Sequence, residues 1–371
     1  MELLNATKMQ AGYTMGVAPD GRESLVVVVK GTFRLPEKGG QELVLADEQV
    51  PLVMADTFAG EPGFSAPVDE SEFAPRKPKC DILLNGNCYA PGGRPAKRVT
   101  VSLQVGSWSK SFTVVGNRSW QREWTGVSPT RPEPFTAMPI SYGNAFGGTD
   151  ITHENPEKHK FVLNNPVGRG FHHQLRANLI DGKPLPNTEE EGRTVKKPGG
   201  DYRPMAFGPV GRNWDPRYKL AGTYDQAWID NTFPFLPPDF QESYYQSAPF
   251  DQQIPYLRGG EVVALTNLTP EGSTKFAIPK VEVPIVFFPK KGDKRETQVV
   301  IDTLIIEPDQ RRFMVVWRSS YVLKRNMFEV VQVVAGVMPK AWYRARQLGK
   351  TYYPSLGALV AAKGAGRNED E

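Results

Sequence analysis

The sequence predicts a mainly β protein built from antiparallel, sandwich-like sheets, and three observations carry that reading. Prolines (33) and glycines (35) are nearly a fifth of the 371 residues, which interrupts the chain too often for long helices. Runs of strand length, rich in β-branched residues, recur near both ends of the chain. Helix-like stretches are confined to the C-terminal tail.

The first strand is "SLVVVVKGTFR", residues 24–34, whose β-branched run, alternating at its end, marks a well-buried strand. Further strands are expected at "QELVLA" (41–46), "CDILLNGNCYA" (80–90), "KRVTVSLQVG" (97–106) and "SKSFTVVG" (109–116). "YAPGG" and "VGSWS" read as hairpin connections, so this N-terminal unit, 1–117, reads as an antiparallel meander. From 118 to 260 alternation fades and Pro, Gly, Asn and rings dominate. The segment is too rich in aromatic residues for disorder and is expected to pack on the sheets, with only "TEEEGRTVKKPGGD" (188–201) as a solvated loop. Strands return at "EVVALTNLT" (261–269), "KFAIPKVEVPIVFF" (275–288), "TQVVIDTLIIEP" (297–308) and "RRFMVVWRSSY" (311–321), forming a second β unit over 261–326. Short helices at 340–348 and 355–363 and a frayed "GRNEDE" complete the tail, 327–371. An alternative organisation runs 1–326 together as one continuous domain.

Charge and composition exclude several classes of function. Lys and Arg number 45 against 41 Asp and Glu, a net charge of +4 with both signs interleaved, so no basic stripe invites nucleic acid. No apolar run is long enough to span a bilayer and the N-terminus lacks a secretory pattern, so membrane insertion is not expected and the cytosol is the expected location. Cys80 and Cys88 are too few for a disulfide framework and wrongly spaced for zinc; they read as core or half-buried thiols.

Motifs for nucleophile elbows, P-loops, dinucleotide folds and zinc proteases are missing. His153, His159, His172 and His173 read as hydrogen-bonding residues rather than metal ligands, and no cofactor is expected. The glycine clusters "YGNAFGGTD" (142–150) and "NPVGRGF" (165–171) do not lead from strand to helix, so close backbone approach explains them better than a phosphate cradle.

The most distinctive stretch is "NWDPRYKLAGTYDQAWIDNTFPFLPPDF", residues 213–240. It places Trp214, Tyr218, Tyr224, Trp228, Phe233, Phe235 and Phe240 at spacings that fit neither helix nor strand. Rings stiffened by proline offer contact area at low entropic cost. Most are expected in the core, with a minority at the rim as partner-binding anchors, because a soluble surface rarely exposes so much apolar area at once. Asp215, Asp225, Asp230 and Asp239 in the same stretch leave a glycoside hydrolase open as an alternative, and a carbohydrate-binding β-sandwich as a third reading.

Phrases spread along the chain carry a family resemblance: "VVKGTF" (28–33), "KCDILLNGNCYAPGGRP" (79–95), "PEPFTAMPISYGNAFGG" (132–148), "NPVGRGF", "GPVGRNWDPRYKLAGTYDQAW" (208–228), "LPPDFQESYYQSAPFDQQ" (236–253), "YLRGGEVVALTNLTPEG" (256–272) and "IDTLIIEPDQRRFMVVWR" (301–318). In this order they resemble domain-of-unknown-function family 2169, found in bacterial type VI secretion clusters. The resemblance implies a cytoplasmic adaptor or chaperone, not an enzyme, that holds a secreted effector, often with a PAAR-like tip domain, and passes it to the VgrG spike. It implies no catalytic residues. The C-terminal fifty residues match less well, which places partner choice there. A grip through apolar contact implies weak salt dependence of the complex.

Overall fold

In a computed structural model, the structure describes residues 1–17, 21–37 and 43–365. The fold is mainly β, as the sequence predicts, with three principal sheets around one large core. The largest has six strands in the order Gln253–Ile254, Cys80–Leu84, Val300–Glu307, Arg312–Val322, Glu23–Arg34 and Gln10–Val17. Its pairings are antiparallel except for Cys80–Leu84 beside Val300–Glu307, which is parallel. A five-stranded antiparallel sheet runs Thr188–Glu189, Trp108–Val115, Arg98–Val105, Val262–Thr266 and Ser273–Ala277. A four-stranded sheet pairs Glu2–Asn5 in parallel with Val330–Ala335, followed by Ile285–Pro289 and Arg295–Glu296. Strands from the two ends of the chain are therefore hydrogen-bonded to one another, Glu23–Arg34 to Arg312–Val322 over eleven paired positions.

The valine run explains why that pair is central. Leu25, Val27, Val29 and Phe33 point into the main core, whereas Val26 and Val28 join Val316 beneath Leu52 and Phe73 on the opposite face. Both faces are covered, which is what an unalternating apolar strand requires. Across the core, Phe313 of the six-stranded sheet lies 4.6 Å from Phe276 of the five-stranded sheet, ring centre to ring centre, and within its own sheet it stacks on Phe33 at 5.3 Å. The pair of Phe313 with Phe276 locks the two sheets face to face.

Several expectations change. "VGSWS" is a two-residue hairpin with Gly106 at φ 58°, the conformation such turns demand. "YAPGG" is not a hairpin, because Gly86–Tyr89 pairs with Ala137–Ile140 instead of its successor. Of "QELVLA", Gln41 and Glu42 lie outside the described residues, and Leu45 makes only an isolated bridge to Phe33. The tail is not only helical: Val330–Ala335 is a strand, followed by helices Lys340–Gln347 and Leu356–Ala365, while "GRNEDE" falls outside the described residues. The 188–201 stretch is not wholly solvated either. Thr188 and Glu189 form the buried edge of the five-stranded sheet, and Glu189 takes ion pairs from Arg98 and Arg118, each at 2.8 Å. Val195 joins Trp120, Phe146, Ile180 and Leu185 in a satellite core that belongs to the middle segment.

The glycine clusters meet each other. Phe146–Gly147 pairs in parallel with Arg169–Gly170, and a Cβ on Gly147 would lie 2.2 Å from the Asn165 carbonyl oxygen. Backbone against backbone, with little room for any side chain, accounts for glycine there. Cys80 and Cys88 are free and buried, and burial pushes the Cys88 thiol up to about 12. Among the described residues no helix is long and apolar enough to cross a membrane.

Candidate functional site

The ring-rich segment forms a loop standing on a buried base. Trp214 is the base: it is 2 % exposed, within the main core, and meets Tyr142 edge-on at 5.4 Å. Three residues on, the buried Arg217 fastens the exit of the loop. Its guanidinium grips both Glu70 oxygens at 2.5 Å, and donates to the carbonyls of Val210 at 2.7 Å and Tyr244 at 2.9 Å. A bidentate pair of this kind fixes direction as well as distance. The Tyr244 carbonyl lies in the 3-10 turn Glu242–Tyr245 by which the loop returns, so one side chain ties both ends together.

Above that clasp the chain closes a neck. The Thr223 amide and hydroxyl donate to Asp239 at 2.9 and 2.7 Å, and the Gln241 amide donates to the Leu220 carbonyl at 2.9 Å. Gly222 has φ 82° here, and a Cβ would stand 2.9 Å from Asp239 Oδ1 and 3.1 Å from the Phe240 nitrogen. The neck admits only glycine on both counts. Beyond it, Asp225 caps the short helix Gln226–Asn231 by accepting from the Trp228 amide at 2.9 Å. Trp228 organises the tip: Tyr224 and Phe233 stand edge-on to it at 4.8 and 5.5 Å, and its indole N–H donates to the Phe235 carbonyl at 2.9 Å. At the stem, Phe240 packs with Tyr244 and Tyr245.

This arrangement corrects the expectation that most of the seven rings are core. Only Trp214 is buried; Trp228 and Phe240 are half-buried, and Tyr218, Tyr224, Phe233 and Phe235 are exposed, Phe233 at 65 %. The rings at the tip stack on each other around Trp228, and Phe235 also lies against the chain at Gly21, where an added Cβ would stand 3.3 Å from its ring. Ile229 on the capped helix adds a further exposed apolar group, at 53 %. Sequence reasoning picked out the rings but missed what holds them: Arg217, Glu70, Gly222 and the buried Asp81. Asp81 accepts from Gln246 Nε2 at 2.6 Å, from the Ser247 amide at 2.8 Å and from Lys77 at 2.8 Å, fixing the chain just after the loop. Only the acid beside an apolar strand, in "KCDILL", hinted at it.

The four aspartates are engaged locally. Asp215 pairs with Lys219 at 2.7 Å, Asp225 caps the helix, Asp230 accepts from Gln226 at 2.8 Å and Asp239 closes the neck. Of the histidines, His159 Nε2 sits 2.9 Å from the His153 carbonyl, and the His173 amide donates to Asp150 at 2.7 Å. Among the described residues no group of three or more His, Cys, Asp or Glu is placed to hold a metal.

A cavity of about 260 Å³ opens at the foot of the loop, walled in part by Lys110, Tyr142, Arg203, Leu220, Phe250 and Asp251. Burial pulls the Lys110 ammonium down to about 8, against the opposing pull of Asp251 at 3.1 Å. In the folded chain this lysine releases its proton near pH 8, whereas in the unfolded chain it holds it to about 10.4. The unfolded state binds more protons across that window, so Lys110 makes stability rise with pH from about 8 to 10. The buried Cys80 and Cys88 thiols, held above their ordinary range, push stability the other way in both proteins, so in urea unfolding over this range it is the stability difference between the parent and Lys110→Met that is expected to rise with pH. Parallel curves would contradict the placement of the lysine.

Comparison with curated proteins and with solved structures gives no match. A family model matches residues 20–318, ending where the recognised phrases end. On that match, over most of its length, the chain belongs to domain-of-unknown-function family 2169, described as uncharacterized proteins conserved in bacteria.

Proposed function

We propose that the chain is a non-enzymatic adaptor of a bacterial type VI secretion system. It holds a secreted effector in the cytosol, one with a PAAR-like tip domain, and delivers it to the VgrG spike. The observation that carries this reading is the exposure of Tyr224, Ile229, Phe233 and Phe235 together on a loop clasped at its base by Arg217 and Glu70. Rings held rigid before contact lose little entropy on binding, and exposed Trp and Tyr are the residues that dominate protein interfaces. The resemblance of the ordered phrases to secretion-linked proteins supports the identity of the partner. Against the alternative of a carbohydrate-active enzyme, Asp215, Asp225, Asp230 and Asp239 each serve the loop's own hydrogen bonding.

Co-expression with the effector encoded beside it is expected to give a complex that migrates as one species on a sizing column. Separate migration, with an effector that stays soluble alone, would reject the adaptor.

A further inference from the structure

The loop differs from the rest of the chain in charge as much as in ring content. From Leu220 to Leu257 there is no Lys, Arg or His, while Asp225, Asp230, Asp239, Glu242 and Asp251 supply five carboxylates, within a protein of net charge +4. Two of the five are neutralised by neighbours: Glu242 by Arg76 at 3.3 Å and Asp251 by Lys110 and Arg203. The other three are exposed around the ring cluster. Asp225, Asp230 and Asp239 accept only from an amide, an amide side chain and a threonine, and among the described residues none of them forms an ion pair. The nearest base in sequence, Lys219, is taken by Asp215.

We propose that this loop selects a polypeptide segment in which apolar residues alternate with Lys or Arg. The inference rests on the adaptor reading and names the chemistry of the segment that docks. Three uncompensated carboxylates beside exposed rings complement a basic amphipathic face twice over: the cations meet the acids, and an Arg or Lys can also lie over the Tyr224 or Trp228 ring. The same charges repel phosphate, so neither nucleic acid nor an anionic membrane fits this surface. Acids at the rim chiefly raise the association rate and suppress wrong partners, and both effects fade as salt screens them. The weak salt dependence expected from apolar contact alone is thereby revised: binding slows as salt rises.

The test uses the full chain and two labelled peptides, one of lysine, leucine and phenylalanine in amphipathic order, the other with each lysine replaced by glutamate. The basic peptide is expected to bind about tenfold tighter or more at low salt, as a few exposed ion pairs provide. Joint substitution Asp225→Asn, Asp230→Asn and Asp239→Asn keeps the cap and the neck, since asparagine retains one acceptor oxygen for the backbone amide and at residue 239 its NH2 can donate to the Thr223 hydroxyl; it is expected to remove most of that preference and flatten the salt dependence. Equal binding of the two peptides, an unchanged preference in the variant, or capture of vesicles containing phosphatidylserine would overturn the inference. The genomic-neighbour effector separates this from the adaptor reading. If it co-elutes with the triple variant at unaltered rate and salt dependence, the charge inference falls and the adaptor stands; if it never co-elutes with the parent, the adaptor falls while the peptide preference still supports the loop's selectivity.

Discussion

Asp81→Ala is expected to cost about 3–5 kcal/mol of stability, the range for breaking a buried ion pair by removing one partner. Asp81 is fully buried and Lys77 is 5 % exposed. Without the carboxylate, the ammonium keeps only the Thr303 hydroxyl at 3.0 Å, while Gln246 Nε2 and the Ser247 amide and hydroxyl lose an acceptor. Each buried donor left unpaired adds its own desolvation cost. Urea titration is expected to show a lower midpoint at unchanged slope. Hydrogen exchange at the Ser247 amide is expected to accelerate beyond the global change, because Asp81 joins the Cys80–Leu84 strand to the returning stem of the loop. The double change Asp81→Leu with Lys77→Met is expected to recover only the part due to the orphaned ammonium, because the buried Gln246 and Ser247 donors still lack their acceptor. A loss below about 1 kcal/mol for the single change would show that the carboxylate is not the anchor.

Replacing Tyr224, Phe233 and Phe235 together by serine is expected to weaken effector binding by about a hundredfold or more, the consequence of losing two anchors of about 2 kcal/mol each. Their rings are more than half exposed, so the cost to folding is expected to stay near 1 kcal/mol. The Trp228 indole bond survives, because its acceptor is the backbone carbonyl of residue 235. Calorimetry against the effector, alongside thermal unfolding of the variant, separates the two effects. A variant that folds normally and binds undiminished would remove these rings from the interface.

Much of the architecture was legible because burial writes itself into period and composition. The valine run announced a well-buried strand, and the 98–115 hairpin was plain from alternation around Gly106. Less legible were Glu2–Asn5 and Gln10–Val17, whose half-exposed residues give little alternation, and Val330–Ala335, which follows a turn and precedes helices. These depend on partners more than three hundred residues away, or on an edge position, and no local window contains that information. The ring segment was recognised but misplaced. Its spacing shows that the rings share no regular element, whereas their exposure follows from a neck made by Gly222, Thr223 and Asp239, in which a glycine conformation and two side-chain bonds decide the direction of the chain. Arg217 looked like one more charge in a polar stretch; its role depends on Glu70, 147 residues earlier.

The pairing of residues 23–34 with 312–322, and of 2–5 with 330–335, has a bearing on biosynthesis. The central strand pair cannot close until residues through Val322 have left the ribosome, and contacts of such long sequence separation form slowly. Until then the valine-rich strand has only Gln10–Val17 beside it, and its other edge stays open and adhesive. Fragments cut anywhere inside the central portion would carry the aromatic tip without the floor on which it stands, so baits for capturing its ligand have to be made from the intact chain.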